Sequence, residues 1–281
     1  PALPTVPGHE VVGKVVEIGD GVTKFKVGDR AGITPLLEAC QKCQYCKEGK
    51  EYLCESSIIL GESTKGGYTE YVTVTEDFAT KVPESMKAEY AAPLFCAGIT
   101  AYKAVKAADP QTHKKIGIFG IGGVGHMAVQ FAKVENCDVI AFSRSQNHLD
   151  VAKRLGAIDA MKFLENQEEF LSKLKEKHGT LDAAIVFAPA DKVTDTAIKS
   201  VKKGGLIVIA TVGENPPFMA FEEKTIRGTL IGSTKDMEQV IKICDEKNLE
   251  VITQTFPLED ANIALKKLKD SEIDARGVLM P

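Results

Sequence analysis

The chain has 281 residues, of which 44% are hydrophobic and 26% charged, and its formal net charge is −4. This composition is ordinary for a globular protein, and the length allows two domains of average size. No basic stripe is present that could hold a phosphate backbone, so nucleic acid is not an expected partner. No apolar run reaches the roughly 18 residues that a membrane helix needs, and no signal peptide is visible. We therefore expect no membrane partner and a cytoplasmic location.

The first hundred residues are predicted to be mainly β. Residues 11–35 alternate apolar and polar side chains, with glycine and aspartate between the runs. A period of two is typical of short antiparallel strands that are joined by turns. Residues 68–82 continue this pattern. We therefore expect a small β-barrel that is interrupted by a cluster of cysteines.

The pattern changes near residue 90. Over residues 89–107 the apolar positions recur every three or four residues, which predicts a helix. Short apolar strands then alternate with amphipathic helices, as in a parallel sheet with helices on both faces. The tail predicts a helix over 237–247, followed by a strand, a helix and a strand. The fold class is therefore α/β, with a doubly wound parallel sheet and a second, mainly β domain.

Four of the seven cysteines form one cluster, with the spacing Cys40-x2-Cys43-x2-Cys46-x7-Cys54. Four thiolates on one short lobe can surround Zn²⁺ and leave no position for water, which is typical of a structural site. An iron–sulfur cluster also takes four cysteines, but its usual bacterial spacing ends in Cys-Pro after three residues. Here the gap is seven residues and Glu55 follows. We therefore predict a structural zinc site in a reducing compartment.

A glycine-rich turn follows the first predicted strand of the parallel sheet. Residues 120–125 read Gly-Ile-Gly-Gly-Val-Gly, which fits the G-x-G-x-x-G pattern, and a predicted helix comes next. Gly120 permits the tight turn, Gly122 lets the backbone approach a pyrophosphate, and Gly125 lets helix and strand pack closely. The free N–H groups of the helix would face the phosphates. This context predicts a dinucleotide-binding Rossmann domain.

The end of the second strand of this domain distinguishes NAD from NADP. An NAD enzyme usually carries Asp or Glu there to hold the ribose 2′-hydroxyl. The chain has Ser143, Arg144 and Ser145 instead. Two hydroxyls and a guanidinium suit a 2′-phosphate, so NADP is favoured and NAD is the alternative.

A second, incomplete metal site is indicated by His9, Glu10 and Cys96. Taken alone, a histidine is more often structural and a cysteine is often a small core residue. Together they fit part of a catalytic zinc site, which takes about three protein ligands and leaves one position open.

The chain resembles zinc-containing medium-chain alcohol dehydrogenases. The resemblance rests on GHEVVGKVVEIGDGVTKFKVGDR, the four-cysteine lobe, GGYTEYV, AAPLFCAGITAY and GIGGVGHMAVQFAK. The Ser-Arg-Ser strand end and IRGTLIGSTKDMEQV are most similar to the cinnamyl alcohol dehydrogenase branch. The resemblance implies a GroES-like catalytic domain over residues 1–98 and 238–281, with the zinc lobe at about 38–56, and an NADP-binding Rossmann domain over residues 99–237.

The resemblance also implies roles for individual residues. The implied catalytic residues are His9, Cys96 and Thr100. The implied ligands of the catalytic zinc are His9 and Cys96, with Glu10 as an occasional alternative, and those of the structural zinc are Cys40, Cys43, Cys46 and Cys54. The implied cofactor contacts are Thr100, Gly120, Gly122, Gly123, Val124, Gly125, Ser143, Arg144, Ser145, His148, Val212, Gly232 and Ser233.

Two features depart from the family pattern. The family branch usually carries Lys or Arg where His148 stands, so one phosphate contact is expected to be weaker or pH-dependent. The family's first zinc ligand is a cysteine upstream of the Gly-His-Glu segment, followed closely by Ser or Thr, which starts proton transfer. This chain begins eight residues before His9. We therefore expect the catalytic domain to be N-terminally incomplete, with the first cysteine ligand outside the chain.

The implied function is an NADP-dependent alcohol dehydrogenase that transfers hydride between NADP(H) and a primary alcohol or aldehyde. Its expected cofactors are NADP(H), one structural zinc and one catalytic zinc, and its expected assembly is a homodimer or homotetramer. A secondary-alcohol or polyol dehydrogenase of the same superfamily is one alternative. A non-catalytic paralogue that binds NADP and zinc is another, favoured only by the missing cysteine.

Overall fold

The computed structural model describes residues 3–213, 220–270 and 272–281. The chain divides into two compact units, one formed by Pro1–Ile99 with Ile231–Pro281 and the other by Thr100–Leu230. The assignment of one unit as the catalytic domain and of the other as the NADP-binding domain stays a prediction. In the described ranges, no helix has the length and apolar character needed to cross a bilayer.

The helices and strands of the described chain can be given in sequence order. They are β1 (Val11–Lys14), β2 (Arg30–Ile33), β3 (Leu36–Glu38), α1 (Gln44–Lys47), β4 (Ile58–Ile59), β5 (Ala79–Lys81), α2 (Ala88–Ala91), α3 (Ala97–Ala107), β6 (Lys115–Phe119), α4 (Gly125–Val134), β7 (Asp138–Ser143), α5 (Gln146–Leu155), β8 (Asp159–Lys162), α6 (Gln167–His178), β9 (Leu181–Val186), α7 (Asp191–Ser200), β10 (Val201–Ile209), β11 (Thr225–Gly228), α8 (Thr234–Lys247), β12 (Thr253–Pro257), α9 (Ala261–Lys269) and β13 (Arg276–Met280).

The first unit contains short strands, as the period of two predicts. β1 and β2 pair antiparallel, and β5 joins the other edge of β2. Residues 68–82 are predicted to continue the short strands and turns, and this prediction is wrong for most of the range, where only β5 is a strand. The backbone N–H of Tyr68, its first residue, and those of Gly66 and Gly67 just before it donate to carbonyl groups of residues 6–8 and are therefore not available to another strand. Where the barrel is expected, the described residues form this three-stranded sheet, in the order β1-β2-β5.

The second unit contains the predicted parallel sheet. Six strands lie in the order β11-β10-β9-β6-β7-β8, and every neighbouring pair is parallel. The first strand of the series, β6, therefore lies in the middle, with later strands added on both sides. This is the doubly wound order, and ligands of such sheets bind outside the carboxyl ends of the strands near the central switch point. The predicted α/β fold class is confirmed.

Three buried phenylalanines hold the central strands and helix α6 together. The ring centroids of Phe119 and Phe142 are 4.4 Å apart, and those of Phe142 and Phe170 are 5.3 Å apart. All three side chains are almost completely buried. Phe119 is the last residue of β6, and Phe142 is the next-to-last residue of β7. The packing that stabilises the sheet therefore also fixes the starting points of the glycine turn and of the Ser-Arg-Ser segment.

A cluster of charged side chains lies at the start of β8, an edge strand of this sheet. Asp159, the first residue of β8, accepts hydrogen bonds from Lys177 Nζ and His178 Nε2, each at 2.7 Å. Burial of the carboxyl group acts to raise its pKa, but these two hydrogen bonds, one from the backbone of Ala160 and the charge of Lys177 together hold the pKa of Asp159 below its usual value. A lowered folded-state pKa gives stabilisation above the unfolded pKa, and this stabilisation is lost as the pH falls through the folded pKa.

We therefore predict that Asp159→Asn lowers the free energy of unfolding at pH 7 by about 2 kcal/mol, because charged hydrogen bonds are replaced by weaker ones. The difference from the wild type should shrink below pH about 4, where the wild-type carboxylate is protonated in the unfolded chain. Denaturant unfolding across this pH range measures it. Asp150→Asn, at an exposed position of α5 where the carboxylate accepts a hydrogen bond from the side chain of Gln146, is the matched control. A penalty that does not change with pH would contradict the account.

Candidate metal and nucleotide sites

The four clustered cysteines meet in a short lobe. Their Sγ atoms lie within 4.8 Å of one another, and none of the four is in a disulfide. The Sγ atom of Cys46 lies 3.5 Å from that of Cys43 and 4.0 Å from that of Cys40. Four sulfurs about 2.3 Å from one zinc ion in a tetrahedron are about 3.8 Å apart. The spacing of the sulfurs therefore fits a four-thiolate zinc site.

Backbone N–H groups of the lobe donate hydrogen bonds to two of these sulfurs. The N–H of Cys43 donates to the Sγ of Cys40 at 3.4 Å, and the N–H of Cys40 donates to the Sγ of Cys54 at 3.5 Å. Hydrogen bonds from the backbone N–H groups of Lys42 and Cys43 lower the pKa of Cys40 to about 6. The thiolate is the form that binds metal. The loop thus favours a thiolate at Cys40, whereas burial and then the hydrogen bond with the Cys43 thiol raise the pKa of Cys46 to about 12.

His9, Glu10 and Cys96 also meet, as the sequence predicts. One ligand atom from each lies within 4.8 Å of the other two. The His9 side chain is 47% exposed and that of Glu10 is 16% exposed, so a ligand could reach the group from the histidine side. The predicted helix over 89–107 is broken at Cys96, which lies between a 3-10 turn and α3. Cys96 itself is therefore in neither helical segment.

Hydrogen bonds from the backbone of residues 66–68 hold the segment that precedes His9. Gly66 donates its N–H to the carbonyl of Val6 at 2.7 Å, and Tyr68 donates to Pro7 at 2.9 Å. A Cβ atom on Gly66 would lie only 2.4 Å from the carbonyl oxygen of Pro7. A larger residue at position 66 would therefore displace the segment that leads into His9.

Arg276 is a site residue that the sequence reasoning missed. It is the first residue of β13, and its guanidinium donates a hydrogen bond to the carboxylate of Glu10. Burial raises the pKa of Glu10 above its usual value, while Arg276 and then His9 act in the opposite direction. The two residues are 266 positions apart in the chain, so no local pattern could have linked them.

The glycine turn has the geometry that the motif predicts. Gly120 has a φ of +100°, and its N–H donates to the carbonyl of Phe142 on β7. A Cβ atom on Gly125 would lie 1.9 Å from the carbonyl oxygen of Gly120, which leaves room only for glycine at the start of α4. A Cβ atom on Gly122 would meet nothing within 4 Å. The backbone at Gly122 is therefore open to a bound group.

The polar residues from the end of β7 onward form a compact turn. The Oγ of Ser143 accepts a hydrogen bond from the N–H of Ser145 at 3.2 Å, and the Nδ1 of His148 lies 3.4 Å from that same Oγ. The side chains of Arg144 and Ser145 are exposed. Because β6 and β7 are parallel neighbours, this turn and the glycine turn lie at the same edge of the sheet. A dinucleotide phosphate site and a 2′-phosphate site would have this arrangement.

The remaining predicted contacts lie in both units. Thr100 is in α3, and Val212, three residues after β10, is 84% exposed. Gly232 and Ser233 immediately precede α8, and Ser233 caps this helix by accepting a hydrogen bond from the N–H of Asp236. Thr100 and Val212 belong to one unit, and Gly232 and Ser233 belong to the other. The roles of all four residues stay predictions.

Two protein-family models match the chain. The model of the alcohol dehydrogenase GroES-like domain matches residues 1–84, and that of the zinc-binding dehydrogenases matches residues 123–246. An alcohol dehydrogenase of Geobacillus stearothermophilus is 37% identical over 99% of this chain and 84% of its own length. Cinnamyl alcohol dehydrogenase 1 of Capsicum annuum is 34% identical over 98% of this chain and 80% of its own length.

Two similar solved structures differ in the cofactor that they contain. The cinnamyl alcohol dehydrogenase of Helicobacter pylori, complexed with NADP(H), is 26% identical with a TM-score of 0.84 and aligns with 99% of this chain and 82% of its own. The acetophenone reductase of Geotrichum candidum, in complex with NAD, is 28% identical with a TM-score of 0.89 and aligns with 99% of this chain and 81% of its own. Structural similarity alone therefore leaves NADP and NAD open.

We predict that Cys43→Ser lowers the zinc content by about one ion per chain and the midpoint of thermal unfolding by about 10 °C, because three thiolates hold a structural zinc poorly. Metal analysis and thermal unfolding measure the two effects. Cys137→Ala, which removes a buried thiol far from the cluster in sequence, is the control and should keep its zinc. If the Cys43 variant retained both its zinc and its midpoint, the four-thiolate site would be refuted.

Proposed function

The chain belongs to the alcohol dehydrogenase family with a zinc-binding dehydrogenase domain, and we propose that it is a zinc-dependent oxidoreductase that transfers hydride between NADP(H) and a primary alcohol or aldehyde. The observation that carries the proposal is the convergence of ligand atoms from His9, Glu10 and Cys96 within 4.8 Å. A nicotinamide cofactor and a small alcohol or aldehyde substrate accord with the family. The preference for NADP over NAD and the preference for a primary alcohol are proposed here in addition to family membership.

His9 and Cys96 are proposed to hold the catalytic zinc, with Glu10 as an occasional ligand. Imidazole and thiolate are ligands that zinc prefers. The hydrogen bond from Arg276 engages the carboxylate of Glu10, which supports His9 and Cys96 as the more constant pair. When bound, zinc would supply a Lewis acid for the substrate oxygen, and the nicotinamide would supply or accept the hydride.

The chain's own residues would bind and orient the cofactor. Thr100 and Val124 are proposed to contact the nicotinamide, and Val212 with the Gly232–Ser233 segment is proposed to meet its carboxamide. The N–H groups at the start of α4 and the open backbone at Gly122 would hold the pyrophosphate. Fixing the ring in this way lowers the barrier to hydride transfer, because the reacting groups no longer search for their orientation.

The residues after β7 support NADP over NAD. The exposed guanidinium of Arg144 and the hydroxyls of Ser143 and Ser145 match the charge and hydrogen-bonding needs of a 2′-phosphate. No carboxylate ends this strand to hold a ribose 2′-hydroxyl. His148, beside Ser143, would add a further contact to this phosphate.

Two parts of the proposal rest on the family resemblance alone. These are the preference for a primary alcohol and the assembly into a homodimer or homotetramer. A similar solved structure carries the name acetophenone reductase, which keeps a secondary-alcohol dehydrogenase as the second candidate. Comparing turnover of an aldehyde and of a ketone of similar size distinguishes the two.

Arg144→Ala is predicted to lower kcat/KM for NADPH by about tenfold to a hundredfold and to change that for NADH by less than about threefold, because the guanidinium pairs with a phosphate that only NADPH carries. Steady-state kinetics with each cofactor measures the ratio. Arg154→Ala, which removes an exposed arginine near the end of α5, is the control. Equal losses with both cofactors would remove the basis for the NADP assignment.

Cys96→Ser is predicted to reduce kcat/KM for the substrate by about a hundredfold or more, because bound zinc contributes several kcal/mol to stabilising charge in the transition state. The lobe zinc and the affinity for NADPH should be unchanged. Kinetics, metal analysis and a cofactor titration check the three parts. Cys244→Ala, at a buried thiol in α8, should keep wild-type turnover. Wild-type turnover by the Cys96 variant would rule this cysteine out as a zinc ligand.

A further inference from the structure

The four-cysteine lobe is bonded to the beginning of helix α8. Glu51 lies in the 3-10 turn Glu51–Leu53, shortly before Cys54. One oxygen of its carboxylate, Oε1, accepts a hydrogen bond from the backbone N–H of Thr234 at 2.6 Å and another from the Thr234 hydroxyl at 3.0 Å. Thr234 is the first residue of this 14-residue helix. A negative charge at that end is favourable, because the helix dipole is positive there and the first N–H groups lack helical partners.

Ile231 provides a second attachment to the same lobe. Its side chain packs against the apolar cluster formed by Leu36, Ala39, Cys54 and Phe78. The cysteines Cys40, Cys43 and Cys46 pack against this cluster as well. Ile231 is therefore in contact with the core that the metal-binding sulfurs border.

The two attachments lie on either side of a very short segment. Only Gly232 and Ser233 separate Ile231 from Thr234. The segment is also held internally, because the N–H of Ser233 donates to the carboxylate of Asp236 at 2.8 Å, and the Ser233 hydroxyl accepts from the N–H of Asp236 at 3.1 Å. The position of these two residues thus depends on the lobe at one end and on the helix cap at the other.

We propose that Glu51 is a positioning residue for the nicotinamide cofactor and that it couples the four-cysteine metal lobe to cofactor affinity. It holds Gly232 and Ser233 in place before the cofactor arrives. The inference rests on the proposed function, which assigns these two residues to the nicotinamide carboxamide. The structural zinc then does more than stabilise the fold, because its lobe fixes part of the surface that binds the cofactor.

Pre-ordering is the physical basis of this coupling. A binding segment that is already fixed loses less conformational entropy when the ligand binds. Removing the Glu51 carboxylate leaves the Thr234 N–H and hydroxyl to water and lets the segment move. Coupling between two sites is reciprocal, so the cofactor must in turn stabilise the metal-bound lobe by the same factor.

The first test compares NADPH affinity of zinc-replete variants by fluorescence titration. Glu51→Ala should weaken NADPH binding by about fivefold, at the low end of typical couplings. Glu51→Gln keeps an oxygen that accepts both hydrogen bonds and should stay within about twofold of the wild type. Glu55→Ala removes an exposed glutamate of the same lobe and is the matched control. In kinetics, Glu51→Ala should raise KM for NADPH and leave kcat unchanged.

The second test measures the coupling from the other side. A chelator that removes the lobe zinc should act more slowly on the wild type when NADPH is present, and Glu51→Ala should lose most of this protection. Thr234→Val removes only the hydroxyl donor and keeps the backbone hydrogen bond, so it should show a smaller loss of protection. This variant keeps the test informative where Glu51→Ala folds poorly.

Two results would overturn the inference. One is wild-type NADPH affinity in a zinc-replete Glu51→Ala protein that shows wild-type protection of its zinc. The other is a loss of affinity that merely follows the fraction of chains that have lost zinc, because this indicates a role in stability alone. A wild-type protein that binds neither NADPH nor NADH would instead overturn the proposed function, and this inference with it.

Discussion

The convergence of four sulfur atoms is the constraint on which the first unit depends most. The lobe around Cys40 and Cys54 has only a small apolar cluster of its own, with four buried side chains at its centre. Four thiolates this close together would repel one another, and a bound cation would offset that repulsion. The lobe carries Glu51, whose carboxylate accepts two hydrogen bonds from Thr234 at the start of α8. A metal bound by the four sulfurs would therefore affect residues that never touch the ion.

In the second unit the corresponding constraint is apolar. The packed rings of Phe119 and Phe142 join β6 and β7 at the carboxyl ends of the two strands. Parallel neighbours bring the glycine turn and the Ser-Arg-Ser turn to one edge of the sheet, so the same two strands would position the pyrophosphate and the 2′-phosphate. Specificity for the cofactor can then change through one or two exposed side chains, such as Arg144, without disturbing the core.

Features with local causes could be predicted from the sequence. The spacing of Cys40 to Cys54 and the glycines of residues 120–125 each specify a geometry within a few residues, and the structure has both. Contacts between distant residues could not be predicted. The pair Glu10–Arg276 spans 266 positions and the pair Glu51–Thr234 spans 183, and both depend on how separate elements pack. The strand pattern at 68–82 begins with another such contact, because the N–H of Tyr68 donates to the carbonyl of Pro7, which the period of two does not reveal.

The central claim is zinc-dependent hydride transfer with NADP(H). It is tested most directly by the initial rate at which the zinc-replete protein reduces primary aldehydes with NADPH or with NADH at equal concentration. The account predicts that one NADPH is consumed for each alcohol formed, that NADH reacts more slowly, and that activity disappears on chelation and returns with zinc. Consumption of neither cofactor by protein that carries its full zinc would contradict it.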